Sequence, residues 1–390
     1  MKYIFLFFGA LSFSQTPLTD TNFLDAINTC LSTNPENGLC SDSEYGAMPY
    51  WNVSNITNMD SAFLDRTEFN ADISSWDVSS VVDFDSMFRN AESFNQPIGS
   101  WNMGSATKLW GMFFDALSFN QPLNNWDVSN VVDFTSVFRG CSVFNQPLNN
   151  WNVSNAVFVS QFFLQASSFN QPLDNWDFSN VRWATNMFQQ ATSFNQDIGM
   201  WNTSSLEYAF GFFALASSFN QDLSDWDISN VTTYTWTDTG NSQSLNNFFH
   251  NTSMSTQNYD LILASWSNQD VNSNLFFVAS GVNYCSSQNE RQSLIDDKNW
   301  TIIDGGYNCN TASVDESDIF LFSVYPNPAE ELLHIDASYV KSAIIYNITG
   351  KKVFEVNDQN RIDVSSLSKG VYFIQVFDGI NSSTRKFLKK

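Results

Sequence analysis

A tryptophan falls every 25 residues along half of this chain, at Trp51, Trp76, Trp101, Trp126, Trp151, Trp176, Trp201 and Trp226. Phenylalanine keeps the same interval at Phe63, Phe88, Phe113, Phe138, Phe163, Phe188 and Phe213, and again in the Phe-Asn pairs from Phe69-Asn70 to Phe219-Asn220. No insertion interrupts the beat. A fixed period of this size predicts a solenoid, in which each unit buries its apolar face only against its neighbours. The aromatic share of 16%, with 37 Phe, exceeds what loops need, so the predicted core is aromatic.

Two shorter periods alternate inside each unit. Leu123, Trp126 and Val128 have the Leu-x-x-Leu-x-Leu spacing of leucine-rich repeats, which predicts a short strand at Trp-x-Val. The following Val131, Phe134, Val137, Phe138 and Cys141 recur at threes and fours, the spacing of a helical face. Ser80-x-x-Asp83 and Asn130-x-x-Asp133 read as helix starts. Pro97, Pro122, Pro147 and Pro172 then lead into the next strand. The expected fold is a leucine-rich-repeat-like solenoid, one short parallel strand plus one short helix per turn, over residues 51–250. The Asn ladder from Asn70 to Asn220 is expected to bond backbone groups within and between turns, with a ligand site as the alternative.

The flanks differ from the repeats. Lys2 and the apolar run over residues 4–11 predict a signal peptide over 1–14, cleaved after Ser14, with a buried first strand as the alternative. Residues 15–50 read as an N-terminal cap, with a helix whose face carries Phe23, Leu24, Ile27 and Leu31. After Trp226 the period decays, and residues 251–310 read as a C-terminal cap, followed by a polar linker over 311–317. From 318 to 390 short β-rich runs separated by turn residues predict a small antiparallel β-sandwich, with a hairpin at Asn347-Ile348-Thr349-Gly350-Lys351. No other stretch is long enough to span a bilayer, so the mature chain is expected to lack a membrane-spanning segment. Export permits disulfides; Cys30 pairs with Cys40 beside the first repeat and Cys285 with Cys309 after the last. Cys141 stands where other repeats have Ala91, Ala116, Ala166, Ala191 and Ala216, and reads as a small buried hydrophobe rather than a catalytic thiol.

The net charge is −23 with only 17 Lys and Arg, which argues against nucleic acid or an anionic membrane as partner. Residues 51–250 carry 19 acids against five bases, whereas nine of the 17 bases lie between Lys341 and Lys390. The two histidines, His250 and His334, fall in different regions, so neither a zinc site nor a His-based triad assembles. Neither a glycine-rich phosphate loop nor an Asp-x-Asp-x-Asp-Gly calcium loop is present. The expectation is a non-enzymatic protein with no catalytic residue, metal or cofactor; a carboxylate pair for glycoside hydrolysis stays open as the alternative.

Two rows of residues are candidates for binding. The residue after each Trp alternates, Asn52, Asp77, Asn102, Asp127, Asn152, Asp177, Asn202, Asp227. On strands about 4.8 Å apart an unbroken Asp row would be repulsive, and interleaved Asn relieves it. The alternation therefore serves stability, or else makes Asp77, Asp127, Asp177 and Asp227 a cation or ligand row. Seven residues past each Trp, Asn58, Asp83, Lys108 and Asp133 give way to Phe158, Trp183 and Tyr208. With helices about 8–10 Å apart these rings would form a stripe of roughly 20 Å. Such a stripe is a recognition patch, or it packs against the C-terminal cap or the last domain.

The unit Phe-Asn-Gln-Pro-Leu-x-x-Trp-Asp-Val-Ser-Asn-Val, followed by Met/Phe-Phe-x-x-Ala, resembles the BspA-like surface-protein repeats over about residues 20–310. The final region resembles the type A C-terminal sorting domain of the type IX secretion system of Bacteroidota. The matching residues are Tyr325-Pro326-Asn327-Pro328, Thr349-Gly350-Lys351-Lys352, Ser366-Leu367 with Gly370-Val371-Tyr372, and the basic end with Lys386, Lys389 and Lys390. The resemblance implies the type IX secretion machinery as partner and removal of the sorting domain near the linker. It further implies a protein that is secreted or attached at the outer membrane. BspA-like proteins are associated with adhesion, so the expected function is binding of a surface protein or glycan. The alternative is a secreted glycan-capturing or glycan-degrading component.

Overall fold

A computed structural model describes residues 15–235, 242–309, 322–337, 339–379 and 382–390. The expected signal peptide and linker lie outside the described residues. The chain divides into two compact units, residues 1–309 and 310–390.

The strand-plus-helix solenoid is not what the repeats build. Between Trp51 and Val231 the described chain contains no α-helix and no extended strand. Each 25-residue coil contributes a single residue to a parallel bridge, the series Asn58, Asp83, Lys108, Asp133, Phe158, Trp183, Tyr208. The Trp-x-Val segments expected as strands are irregular, and the stretch with helical spacing is a run of turns. Two residues per coil, ten and fourteen past Trp, adopt positive φ, as in Ser86 and Asn90, Gly111 and Asp115, or Ser136 and Gly140. A helix needs an unbroken run of right-handed residues, so these two positions forbid it.

Alternate peptide groups take over the hydrogen bonding a helix would have supplied. The N–H groups of Phe134, Ser136, Phe138 and Gly140 donate to the carbonyls of Phe158, Ser160, Phe162 and Leu164 in the next coil at 2.7–3.0 Å. Those of Val137, Arg139 and Cys141 donate back to Phe134, Ser136 and Phe138 in their own coil. Backbone polarity is thus satisfied partly along the stack and partly within each coil.

One continuous apolar cluster runs from Leu18 to Trp300. Within it, Trp101, Trp126 and Trp151 stack at 6.5 and 6.2 Å, and Phe113, Phe138 and Phe163 at 5.5 and 6.0 Å. The Phe-Asn phenylalanines form a third column, with Phe119 6.1 Å from Phe144. The indoles of the Trp column also have polar partners: Trp126 Nε1 donates to Ile98 O at 3.1 Å and Trp151 Nε1 to Leu123 O at 2.9 Å. The Asn ladder bonds between coils. Asn120 Oδ1 accepts from Asn145 N–H at 3.0 Å and from Gln146 Nε2 at 3.1 Å.

Both ends of the stack are closed by built-in partners. Helix α1 (Phe23–Thr33) sets Phe23 against Trp51 and Trp76 at 6.4 and 5.9 Å. Asp20 accepts from Thr57 N–H, Thr57 Oγ1 and Asn58 N–H, replacing the carbonyls of a missing earlier coil. At the other end the expected decay after Trp226 is corrected. Strands β1 (Tyr234–Thr235) and β2 (Ser242–Gln243) pair as an inserted hairpin, and then the same coil geometry resumes. Asn247 and Asn251 take the two positive-φ places, and Phe249 stacks on Phe213 at 5.9 Å. Helix α2 (Thr256–Ser267) buries Tyr259, Ile262, Leu263 and Trp266. Strand β3 (Phe276–Tyr284) receives the Leu245 N–H. Helix α3 (Gln288–Asp296) follows, and β4 (Thr301–Tyr307) pairs in parallel with β3, Phe276 opposite Thr301. That register is again 25 residues, and Trp300 Nε1 donates to Asn272 O at 2.8 Å as its predecessors do. Cys30–Cys40 and Cys285–Cys309 are both disulfide-bonded, as expected.

The second unit holds β5 (Ser323–Tyr325), β6 (Leu332–Asp336), β7 (Ser342–Asn347), β8 (Lys352–Asn357), β9 (Arg361–Asp363), β10 (Gly370–Phe377) and β11 (Ser382–Lys389). They form a four-stranded sheet, β11-β10-β7-β8, and a three-stranded sheet, β5-β6-β9. All strand pairs are antiparallel, and both sheets share a core that includes Leu333, Ile335, Ile345, Ile362, Ile374 and Phe387. The β7–β8 turn is closed by Asn347 Oδ1, which accepts from Thr349 and Lys351 N–H.

Candidate recognition surface

The position seven past Trp is the one bridge residue of each coil, so its side chains succeed one another at strand spacing. Phe158 is 37% exposed, while Trp183 and Tyr208 are half-buried. Ring centroids lie 6.3 Å apart from Phe158 to Trp183 and 3.9 Å from Trp183 to Tyr208. The spacing expected from helices is therefore corrected: the rings touch instead of standing apart as a longer stripe. Earlier in the row Lys108 pairs with Asp83 at 2.6 Å and covers it, leaving Asp83 buried. Asp85, two residues on, has its carboxyl pushed up to about 6 by burial, with Asp83 and Asp60 adding to the effect against the Trp110 N–H and Lys108.

The alternating Asn/Asp row lies on irregular backbone, not on strands, and performs one local task. Asp77, Asp127, Asp177 and Asp227 each accept from the N–H two residues on, at 2.9–3.1 Å. Asn52, Asn102, Asn152 and Asn202 do the same at 3.1–3.2 Å. Both residue types close the same Asx turn. The Ser79, Ser129 and Ser179 hydroxyls, then their N–H groups, hold Asp77, Asp127 and Asp177 below the usual carboxylate range. Asp127 also lines a shallow groove of about 360 Å³ with Asn124, Asn125, Trp126, Asn150 and Asn152. Among the described residues no group of three or more His, Cys, Asp or Glu gathers as metal ligands.

Cys141 is fully buried, its Sγ donating to Phe113 O at 2.9 Å, and burial pushes its thiol well up, away from the thiolate. His250 and His334 fall in different units. The residues singled out in the C-terminal region are spread along one unit. Asn327, between Pro326 and Pro328, accepts from Leu388 N–H on β11 at 2.8 Å. Gly350 and Lys351 form the β7–β8 turn, and Leu367 packs against the core. Gly370 and Tyr372 lie on β10, with the Tyr372 hydroxyl donating to Ser368 O. Lys386 and Lys389 are on β11, and Lys390 ends the chain.

The sequence reading missed three features. The Asx turns had a local signal in the recurring Asp/Asn-x-Ser. The positive-φ columns had one in Gly111, Gly140 and Gly211. The third is a cluster of Arg89, Phe114 and Arg139, which share the thirteenth position past Trp in successive coils and were visible in the same alignment of repeats.

Three overlapping stretches, residues 39–151, 133–247 and 184–289, match the family described as "Mycoplasma protein of unknown function, DUF285". Residues 323–390 match the family described as "Secretion system C-terminal sorting domain". No curated protein matches the chain.

Proposed function

Because the chain belongs to the DUF285 family and ends in a secretion-system sorting domain, we propose that it is an adhesion or binding protein without enzymatic activity. The sorting domain marks it as secreted or displayed at the cell surface and as a client of the type IX secretion machinery. In this reading the sorting domain and signal peptide are removed during export, and the remaining stack stays attached at the outer membrane or is released. The stack is the scaffold, and its ligand is a surface protein or glycan held by Phe158, Trp183 and Tyr208.

The observation that carries this reading is the run of three touching rings on a row that elsewhere holds Asn58, Asp83, Lys108 and Asp133. Aromatic side chains clustered on a polar surface are the usual anchors of recognition. The test is an array of glycans and surface proteins probed with the full chain and with Trp183→Ala. Binding that Trp183→Ala abolishes, with melting unchanged, supports the reading. Binding that survives the substitution, or a large drop in melting without any ligand, assigns the rings to packing.

A further inference from the structure

Five basic residues occupy the acidic stretch 51–250. Lys108 pairs with Asp83, Arg182 pairs with Glu207 at 2.6 Å, and Arg66 donates to Asn28. The remaining two, Arg89 and Arg139, make no ion pair among the described residues. Both guanidinium groups instead face one ring. The ζ carbon of Arg89 lies 4.6 Å from the Phe114 centroid and that of Arg139 4.3 Å, and Arg89 also stands 5.7 Å from the Trp110 centroid. The Nε atoms of both arginines are buried without a hydrogen-bond partner. Arg139 gives one N–H to Gln161 Oε1 at 2.7 Å. Asp115 is close enough to feel both charges, yet burial raises its carboxyl against their pull. Its Oδ1 is turned against the backbone of Gly140, 1.8 Å from where a Cβ would stand.

Contact with a ring face satisfies the charge of a guanidinium group only in part and offers no hydrogen-bond acceptor. It leaves the planar donor forks, built for paired oxygens, largely unused. In a stretch with 19 acids, two unpaired guanidinium groups converging on one ring need an anion to complete them. Trp110, 37% exposed, supplies a flat apolar face beside them. Both ζ carbons lie within 4.6 Å of the one Phe114 centroid, so the two guanidinium groups stand at most about 9 Å apart, within reach of two carboxylates of one short chain. From this geometry we infer that Arg89, Phe114, Arg139 and Trp110 form a binding site for a short acidic oligosaccharide. Its carboxylates would engage the two arginines, and a sugar ring would lie on the indole. A long polyanion is disfavoured because the rest of the chain repels it, whereas at physiological salt a Debye length of about 8 Å confines the attraction to the site.

This is a second site, separate from the rings of Phe158, Trp183 and Tyr208, and its test is independent of theirs. The test is calorimetric titration of the full chain with a short oligogalacturonate and with its methyl ester, which keeps the sugar and removes the charge. The expected result is binding of the acid, and about tenfold or weaker binding of the ester, the equivalent of losing one charge-assisted contact. The Arg89→Gln/Arg139→Gln double variant should lose the acid to the same extent with unchanged melting, while Trp183→Ala retains it. Equal affinity for acid and ester, no binding of either, or full binding by a folded double variant overturns the inference. Should the double variant not fold, the acid-to-ester comparison on the unaltered chain still decides. An array ligand lost in Trp183→Ala, with oligogalacturonate unbound, would leave the general reading standing and remove only this site.

Discussion

Asn120 makes its inter-coil contacts through a single oxygen. Its Oδ1 accepts from both Asn145 N–H and Gln146 Nε2, and the same two bonds recur at Asn95, Asn145 and Asn170. Asn120→Ala should therefore cost about 1–3 kcal/mol in chemical denaturation, the penalty for a half-buried N–H left without an acceptor. Asn120→Asp keeps the acceptor and should cost less than Asn120→Ala. Asp85 offers a test by pH. Its carboxyl, near 3.8 unfolded, is raised to about 6 in the folded chain, so the folded state binds the extra proton. Stability should fall as pH rises from about 4 through about 6. Asp85→Asn should stabilise the protein at neutral pH and flatten that part of a melting-versus-pH curve. The Asn ladder was legible in the sequence because a half-buried amide repeated at one place in every coil has few other uses. The Asn/Asp alternation was misread as a charge pattern on strands. Either side chain bonds the N–H two residues on equally well, which accounts for the residue types in the row and not for their alternation.

At the scale of one coil, the sequence misled where two geometries share one spacing. Phe134, Val137, Phe138 and Cys141 all point inward, and a helix would predict that too. The turns achieve it with left-handed residues at two fixed places, and most coils put Ser, Asn, Asp or Gln there. Only Gly111, Gly140 and Gly211 betray the conformation. Gly140 is needed twice over, since its φ is +72° and the Asp115 carboxylate fills the space of a Cβ. A glycine normally weakens regular structure, but here the sign reverses. Gln165 is exposed with φ +63° and makes no side-chain hydrogen bond among the described residues. Gln165→Gly should raise stability by about 0.5–1 kcal/mol, part of the left-handed penalty less the added freedom of the unfolded chain. Thermal unfolding of that single variant reads the sign directly. A helix at this place would show the opposite sign.

Over the whole molecule, the 25-residue interval proved more informative than the secondary structure inferred from it. It located the aromatic columns, and the cysteines flanking the repeats at either end are paired as expected. It did not show that the beat resumes at Leu245 after an inserted hairpin, or that β3 and β4 repeat it. There the Trp is missing and the signal survives only in Leu-Asn-Asn-Phe-Phe and Trp300. The strand-rich C-terminal unit was readable from its turn residues, because alternating short runs leave few alternatives. What a coil contributes to its neighbours is nearly the same in every interior position: one Trp, two Phe, one Asn and three or four N–H groups donated along the stack.

Interchangeable coils whose bonds all span one fixed interval are the central claim, and deleting one coil tests it most directly. Removal of residues 126–150 joins Asn125 to Trp151 and keeps every later bond in register, whereas removal of 126–149 shifts each by one residue. In a nearest-neighbour stack the first deletion loses one coil and one interface. The account predicts a folded protein with a single, modestly lowered melting transition for the 25-residue deletion and loss of cooperative melting for the 24-residue one. Two deletions that melt alike, or a 25-residue deletion that does not fold, would contradict it.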